Sequence, residues 1–345
     1  MTALTSPGEA TGAPDPQVNH DPRGRATPED LRLALRAATL YYLDGLTQAE
    51  IAARLGVSRP TAGRLVARAK ANGLVRIEVV VPPDMRDDLH ADEERELERR
   101  FGLTEAVVAG HGVDVGAPGR PAAYASIGRP AAALLMRRIS ADDVLGITWG
   151  PEQVAVASAL SPGVASCRAV VQLDGAMSTA TYQTGTEFIL TRCAEMLRAT
   201  AIRLPAPLYA DPSTVASMRS DSFISQTLEA GRNADMMLFG VGAVSTSTTL
   251  FEGSFVDARM LDELVSLGAV GEIGGRFFDA SGAPVDSELQ HRAVSVPLED
   301  IRRCQKSILI SSGAAKHEAT LAALRGELAK FLVCDIDCAR WLLAQ

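Results

Sequence analysis

Apolar positions along this chain change their spacing twice. From Glu29 to Leu43 leucine and alanine recur every three to four residues, the period of a helix with one buried face. Thr27-Pro28-Glu29-Asp30 ahead of them reads as a cap with proline in the first turn. Two short helices follow, then LVRIEVVV (74–81), a β-branched run closed by Pro82-Pro83. Beyond Phe101 the pattern becomes short, nearly continuous apolar runs: AVVAG (106–110), DVLGITWG (143–150), RAVVQLDG (168–175), DMMLFGVGAV (235–244) and KSILISSG (306–313). Most end in glycine, and helical segments lie between them. Strands buried on both faces of a parallel sheet need apolar residues on both sides, which removes the usual alternation. The fold class expected is therefore α/β, with a small helical unit ahead of a parallel-sheet domain.

The remaining segments set the boundaries. Residues 1–28 carry Pro7, Pro14, Pro16, Pro22 and Pro28 with few apolar residues, a composition that predicts a disordered tail. A small helical domain is expected over 29–82 and a parallel-sheet domain over 101–345. Between them, residues 83–100 hold eight acids from Asp84 to Glu98 against four arginines. Leu89, Glu93 and Leu97 share one face of a helix there, which predicts an exposed linker helix, with a dimerising coiled coil as the sharper alternative.

Composition narrows the class. The 345 residues are 47% hydrophobic and 22% charged, enough to bury real cores. The formal net charge of −8 has the wrong sign for a protein whose whole surface holds nucleic acid, so any DNA contact must be a local basic face. Five irregularly spaced cysteines (Cys167, Cys193, Cys304, Cys334, Cys338) read as buried thiols of a reducing compartment. Cys334 and Cys338 stand one helical turn apart without further ligands, so no metal and no cofactor is expected. No signal peptide and no stretch of the ~18 apolar residues that span a membrane is present, and a soluble cytoplasmic protein is expected.

The strongest local motif is TQAEIAARLGVSRPTAGRLV (47–66). Thr47 can cap a helix whose Ile51, Ala52 and Leu55 face inward. Gly56 supplies the positive φ of a tight turn, Val57 plugs the space between helices, and Ser58 caps the next helix. That second helix has no acid between residues 58 and 70 and carries Arg59, Arg64, Arg68 and Lys70. Cations without anions suit a polyanion, and arginine can read guanine in the major groove. The predicted partner is double-stranded operator DNA, met by Ser58, Arg59, Thr61, Gly63, Arg64 and Arg68.

In open parallel sheets, ligands bind where strand ends lead into helix N-termini. Thr148 and Gly150 precede Pro151 and Glu152; Gly240 and Gly242 follow another strand; Gly313 leads into a helix with Lys316 in its first turn. Free N–H groups and an ammonium at such junctions attract anions. Gln172, Asp174, Glu272 and Asp279 add amide and carboxylate groups that pair with vicinal hydroxyls. Asp174 and Asp279 could instead cap turns.

The order of LTQAEIAARLGVSRPTAGRLV, LGITWG, VVQLDG, LPAPLYAD, ADMMLFGVGAV, GEIGGRFFDASG and SSGAAKHEATLAAL resembles the SorC family of sugar-responsive bacterial regulators across residues 30–345. The resemblance implies a C-terminal domain similar to the ribose-phosphate isomerase and glucosamine-phosphate deaminase fold, used for sensing. It also implies sugar, polyol or sugar-phosphate effectors and homo-oligomers, often tetramers, on DNA. In that family Ser or Thr commonly follows the Trp-Gly of LGITWG, whereas Pro151-Glu152 stands here, and a carboxylate at a helix start opposes phosphate. Lys316 argues the other way, and the balance leans to a phosphorylated effector. The alternative is a sugar-phosphate isomerase or deaminase fused to a DNA-binding module. No histidine has a recognisable catalytic spacing and no common catalytic motif occurs, so a non-enzymatic regulator is expected.

Overall fold

The computed structural model describes residues 27–77, 89–110, 124–176, 185–246, 249–252 and 256–345, in two compact units, Met1–Val80 and Val81–Gln345. The expected tail up to residue 26 and the end of the run 74–81 lie outside the described residues; Leu74–Ile77 are not in a strand.

The first unit is built from α1 (Pro28–Tyr42), α2 (Gln48–Leu55) and α3 (Arg59–Ala71). Local chemistry fixes its helix ends. Thr27 and Asp30 form a reciprocal capping box on α1, as do Thr47 and Glu50 on α2. Gly56 ends α2 at φ 69°, and Ser58 caps α3. The shared core holds Ala34, Ala37, Ala38, Ile51, Ala52, Ala62, Leu65 and Ala69. So much alanine allows the helices to cross closely.

The second unit begins with α4 (Ala91–Phe101), β1 (Glu105–Ala109), α5 (Ala125–Arg138), β2 (Val144–Ile147), α6 (Pro151–Ala159), β3 (Ala169–Gln172), α7 (Thr186–Leu197) and β4 (Thr200–Ile202). It continues through α8 (Pro212–Ser220), α9 (Ser222–Arg232), β5 (Met236–Gly240), β6 (Gly242–Ala243), α10 (Thr249–Glu252), α11 (Ala258–Ser266), β7 (Ala269–Ile273) and β8 (Arg276–Asp279). It closes with α12 (Glu288–Arg292), α13 (Leu298–Arg303), β9 (Lys306–Ser311), α14 (His317–Arg325), β10 (Phe331–Asp335) and α15 (Ile336–Leu343).

A seven-stranded parallel sheet runs β1-β10-β9-β5-β2-β3-β4, and β6-β7-β8 form a small antiparallel sheet. Alternate residues of the large sheet enter two cores, one on each face: Val171, Met237, Phe239 and Leu309 on one side, Val170, Met236, Leu238 and Ile308 on the other. This explains the continuous apolar runs that marked β1, β2, β3, β5 and β9. β10 is as apolar, but its five residues sit between two helical segments, which masks it in the sequence.

The helix expected as an exposed linker is integral to this unit. Leu97 of α4 is fully buried, and Glu98 and Glu94 accept hydrogen bonds from the amides of Ala106 (3.0 Å) and Val108 (2.9 Å). β1 is an edge strand, and α4 covers its unpaired N–H groups. The acids that looked like solvated charge are partly there to satisfy backbone donors.

Candidate functional site

Two surfaces carry chemistry, one on each unit. On α3, Arg59, Arg64 and Lys70 are exposed. Ser58 Oγ accepts from the Thr61 amide at 3.3 Å and shares a hydrogen bond with Thr61 Oγ1 at 2.8 Å. Arg64 Nη2 donates to that Thr61 hydroxyl at 3.1 Å, which orients the guanidinium along the helix face. Two residues of the expected DNA set have other contacts. Arg68 is half-buried and faces Asp30 at 3.8 Å. Gly63 lies under Gln48, whose Oε1 would stand 3.1 Å from an added Cβ, so its smallness serves the approach of α2.

In the second unit the C-terminal ends of β2 and β5 are neighbours. The chain proceeds from β2 outward to β3 and β4, and from β5 the opposite way to β9 and β10. Such a divergence leaves a crevice, because the connecting helices leave on opposite faces. A cavity occupies it, lined by Thr148, Gly150, Glu152, Gly240, Gly242, Glu272 and Lys316 from the expected set. Its wall also includes Tyr124, Trp149, Gln153, Ser245, Gly274 and Ala315, which the sequence analysis did not single out.

Gly150 caps α6 at φ 149°, a backbone that disfavours a side chain, and Pro151 opens the helix. Glu152, in the first turn, is only 1% exposed, and its carboxylate is ion-paired with the Lys316 ammonium. Gln153 is fully buried, and among the described residues neither its amide oxygen nor its nitrogen has a hydrogen-bond partner. Gly240 permits this placement, since a Cβ there would lie 3.1 Å from Gln153 Nε2. The Trp149 indole N–H is buried too and has no partner among the described residues.

Glu272 is buried, and its Oε2 accepts from the Gly275 amide at 2.8 Å. Burial pushes its carboxyl up to about 6, against the opposing pull of the Gly275 amide and the Lys316 charge. Asp174 lies behind Gly274, whose added Cβ would meet Oδ2 at 3.2 Å. Neither Asp174 oxygen makes a hydrogen bond of ordinary geometry among the described residues, and the backbone amides near it, those of Trp149 and Asp174 itself, favour its anion only weakly. Burial, and then the charge of Glu272, raise its carboxyl well above the usual range.

Four residues of the expected effector set do not line the cavity. Asp174 stands behind the wall. Gln172 is committed to backbone, its Nε2 donating to Asp174 O (2.7 Å) and its Oε1 accepting from Leu204 N (3.4 Å). Asp279 closes an Asx turn, accepting from the Ser281 and Ala283 amides at 2.8 and 3.0 Å. Gly313, at φ 93°, donates its amide to Asp335 Oδ2 at 2.8 Å and so shapes the loop that presents Lys316. Lys316 does reach the cavity, but its charge already has a partner.

Comparison with known proteins accounts for both units. A model described as "Putative sugar-binding domain" matches residues 88–344, and a MarR-family model matches residues 37–86. The chain is 32% identical over 316 residues to the deoxyribonucleoside regulator of Bacillus subtilis (strain 168), covering 91% of this chain and 98% of that protein. It is 28% identical over 322 residues to the erythritol catabolism regulatory protein EryD of Brucella abortus (strain 2308), covering 92% and 98%. The crystal structure of the full-length sorbitol operon regulator SorC from Klebsiella pneumoniae matches with a TM-score of 0.66 and 26% identity, over 91% of this chain and 99% of that one. Both units are thus matched on this chain, and its relatives are regulators that span nearly its whole length. The protein belongs to the SorC family of transcriptional regulators, in which a sugar-binding domain controls the binding of a helix-turn-helix domain to DNA.

Proposed function

We propose that the cavity at the ends of β2, β5 and β9 is the effector site, that its ligand is a carbohydrate or polyol, and that Arg59 and Arg64 of α3 contact operator DNA. The single observation that carries the reading is the cavity at the strand divergence, with the Gln153 amide and the Trp149 indole N–H buried in its wall and without hydrogen-bond partners among the described residues. Buried polar groups cost free energy unless a ligand or water pairs them, and hydroxyls can pair both amide atoms. The domain senses rather than transforms its ligand: no histidine lines the cavity among the described residues, and the relatives are named as regulators. A single helix-turn-helix reads few base pairs, so the working form is a homo-oligomer acting on DNA in the cytoplasm.

Ala315→Trp tests the site, because Ala315 is exposed at the cavity wall and its enlargement spares the core. In a gel-shift titration the variant is expected to bind operator as the parent does and to ignore the polyol or sugar that modulates the parent. An undiminished response would move the effector elsewhere. Light scattering reads the assembly, and absence of turnover over a sugar-phosphate panel checks the sensing role.

A further inference from the structure

The cavity has an unusual charge arrangement. Its wall includes two carboxylates, Glu152 and Glu272, against one cation, Lys316; no other lysine, arginine or histidine lines it among the described residues. The cation that would hold a phosphate is present but already paired. The Lys316 ammonium meets the carboxylate of Glu152, which stands in the first turn of α6 and is almost wholly buried. An entering dianion would have to displace that carboxylate or sit beside it without a free cation, and unlike water the surrounding protein screens such repulsion poorly.

The unmet hydrogen-bonding groups point the same way. Among the described residues Gln153 Oε1 lacks a donor, and Gln153 Nε2 and Trp149 Nε1 lack acceptors. A hydroxyl serves both kinds, whereas a phosphate dianion only accepts. We propose that the cavity takes an uncharged polyhydroxy ligand, a sugar or polyol without phosphate, and that the Glu152–Lys316 pair is the specificity-determining element that turns phosphate esters away. This rests on the cavity being the effector site. It also reverses the lean toward a phosphorylated effector that Lys316 suggests when its partner is not known.

The test uses the full-length protein and calorimetry with inorganic phosphate, and with glucose, ribitol and xylitol beside their phosphate monoesters. The parent protein is expected to show no phosphate binding. Glu152→Gln frees the ammonium and is expected to gain saturable phosphate binding, at least about tenfold above the parent, and to lose it again with Lys316→Gln or Ala315→Trp. Glu152→Thr carries the same expectation if Glu152→Gln fails to fold, as judged by circular dichroism. Three results overturn the inference: phosphate binding by the parent that Ala315→Trp removes, a phosphate ester held more tightly than its parent polyol, or a folded Glu152 variant with no gained phosphate affinity. The two levels separate cleanly. A ligand response that survives Ala315→Trp removes the cavity itself, and the inference with it; a phosphate-ester response that Ala315→Trp abolishes removes only the charge selection.

Discussion

The carboxylate of Glu94 accepts a hydrogen bond from the backbone amide of Val108 at 2.9 Å, across 14 residues of chain. With Glu98 on Ala106, it gives the outer edge of β1 the partners that a further strand would otherwise provide. Glu94→Ala is expected to cost about 1–2 kcal/mol, because a half-buried amide loses its acceptor. Urea unfolding measures the loss, and hydrogen exchange should show the Val108 amide exposed ahead of its neighbours on β10.

On α3 the arginines should divide. Arg64 is exposed and held toward the helix face by Thr61, and Arg64→Ala is expected to weaken operator binding by about 1–3 kcal/mol with the fold intact. Arg68 faces Asp30, so Arg68→Ala should lower thermal stability more visibly than it changes sequence discrimination. Gel-shift titrations at two salt concentrations, with melting curves for each variant, separate the two behaviours. Equal losses of operator affinity without destabilisation would place both on DNA.

Glu272 predicts a pH dependence of definite sign. Its folded-state carboxyl lies near 6 against an ordinary 4.5, so the native state holds its proton longer than the unfolded chain does. Stability from this group is complete below the ordinary value and declines as pH rises through about 6, by an amount on the order of 2 kcal/mol. Asp174, raised further by burial, adds a decline of the same sign. Glu272→Gln should flatten the curve of unfolding free energy between pH 4.5 and 6 relative to the parent. A parallel curve would mean that the carboxyl is ionised without penalty.

The β7–β8 turn predicts a glycine requirement. Gly274 and Gly275 have φ of 54° and 76°, as a two-residue hairpin turn demands. A Cβ on Gly275 would also lie 2.8 Å from the Tyr209 hydroxyl, which donates to the Gly275 carbonyl. Gly275→Ala is expected to destabilise the protein by at least about 1–2 kcal/mol and to weaken effector binding through Glu272, whose carboxylate rests on the Gly275 amide. Denaturation and calorimetry on the same variant measure both effects.

The residues that the sequence alone determined are those whose partners lie within one turn of chain. Thr47 caps α2 by bonding to Glu50, Gly56 reverses the chain between helices, and Ser58 caps α3. These interactions need only the neighbours printed beside them, so the helix-turn-helix is legible as letters. The parallel sheet was legible for a related reason, since strands covered on both faces cannot hide their apolar composition. The acid-rich segment of α4 misled because its partners, the β1 amides, come from the other side of a turn and carry no side-chain signature.

Tertiary structure alone decided which polar residues share the cavity. Lys316 and Glu152 are 164 positions apart, and nothing in either local sequence reveals that one neutralises the other. Within GEIGGRFFDASG both acids are candidates for the ligand, and the structure takes the turn-capping alternative for Asp279, which folds back on its own turn, while Glu272 lines the cavity. Gln172 and Gln153 invert the expectation in the same way: the one within the conspicuous VVQLDG run is used by the backbone, and the inconspicuous one lies in the cavity wall with no partner among the described residues. Strand order is the reason. It brings the ends of β2, β5 and β9 together after long intervening segments, and only at that convergence do burial and charge assign each side chain its partner.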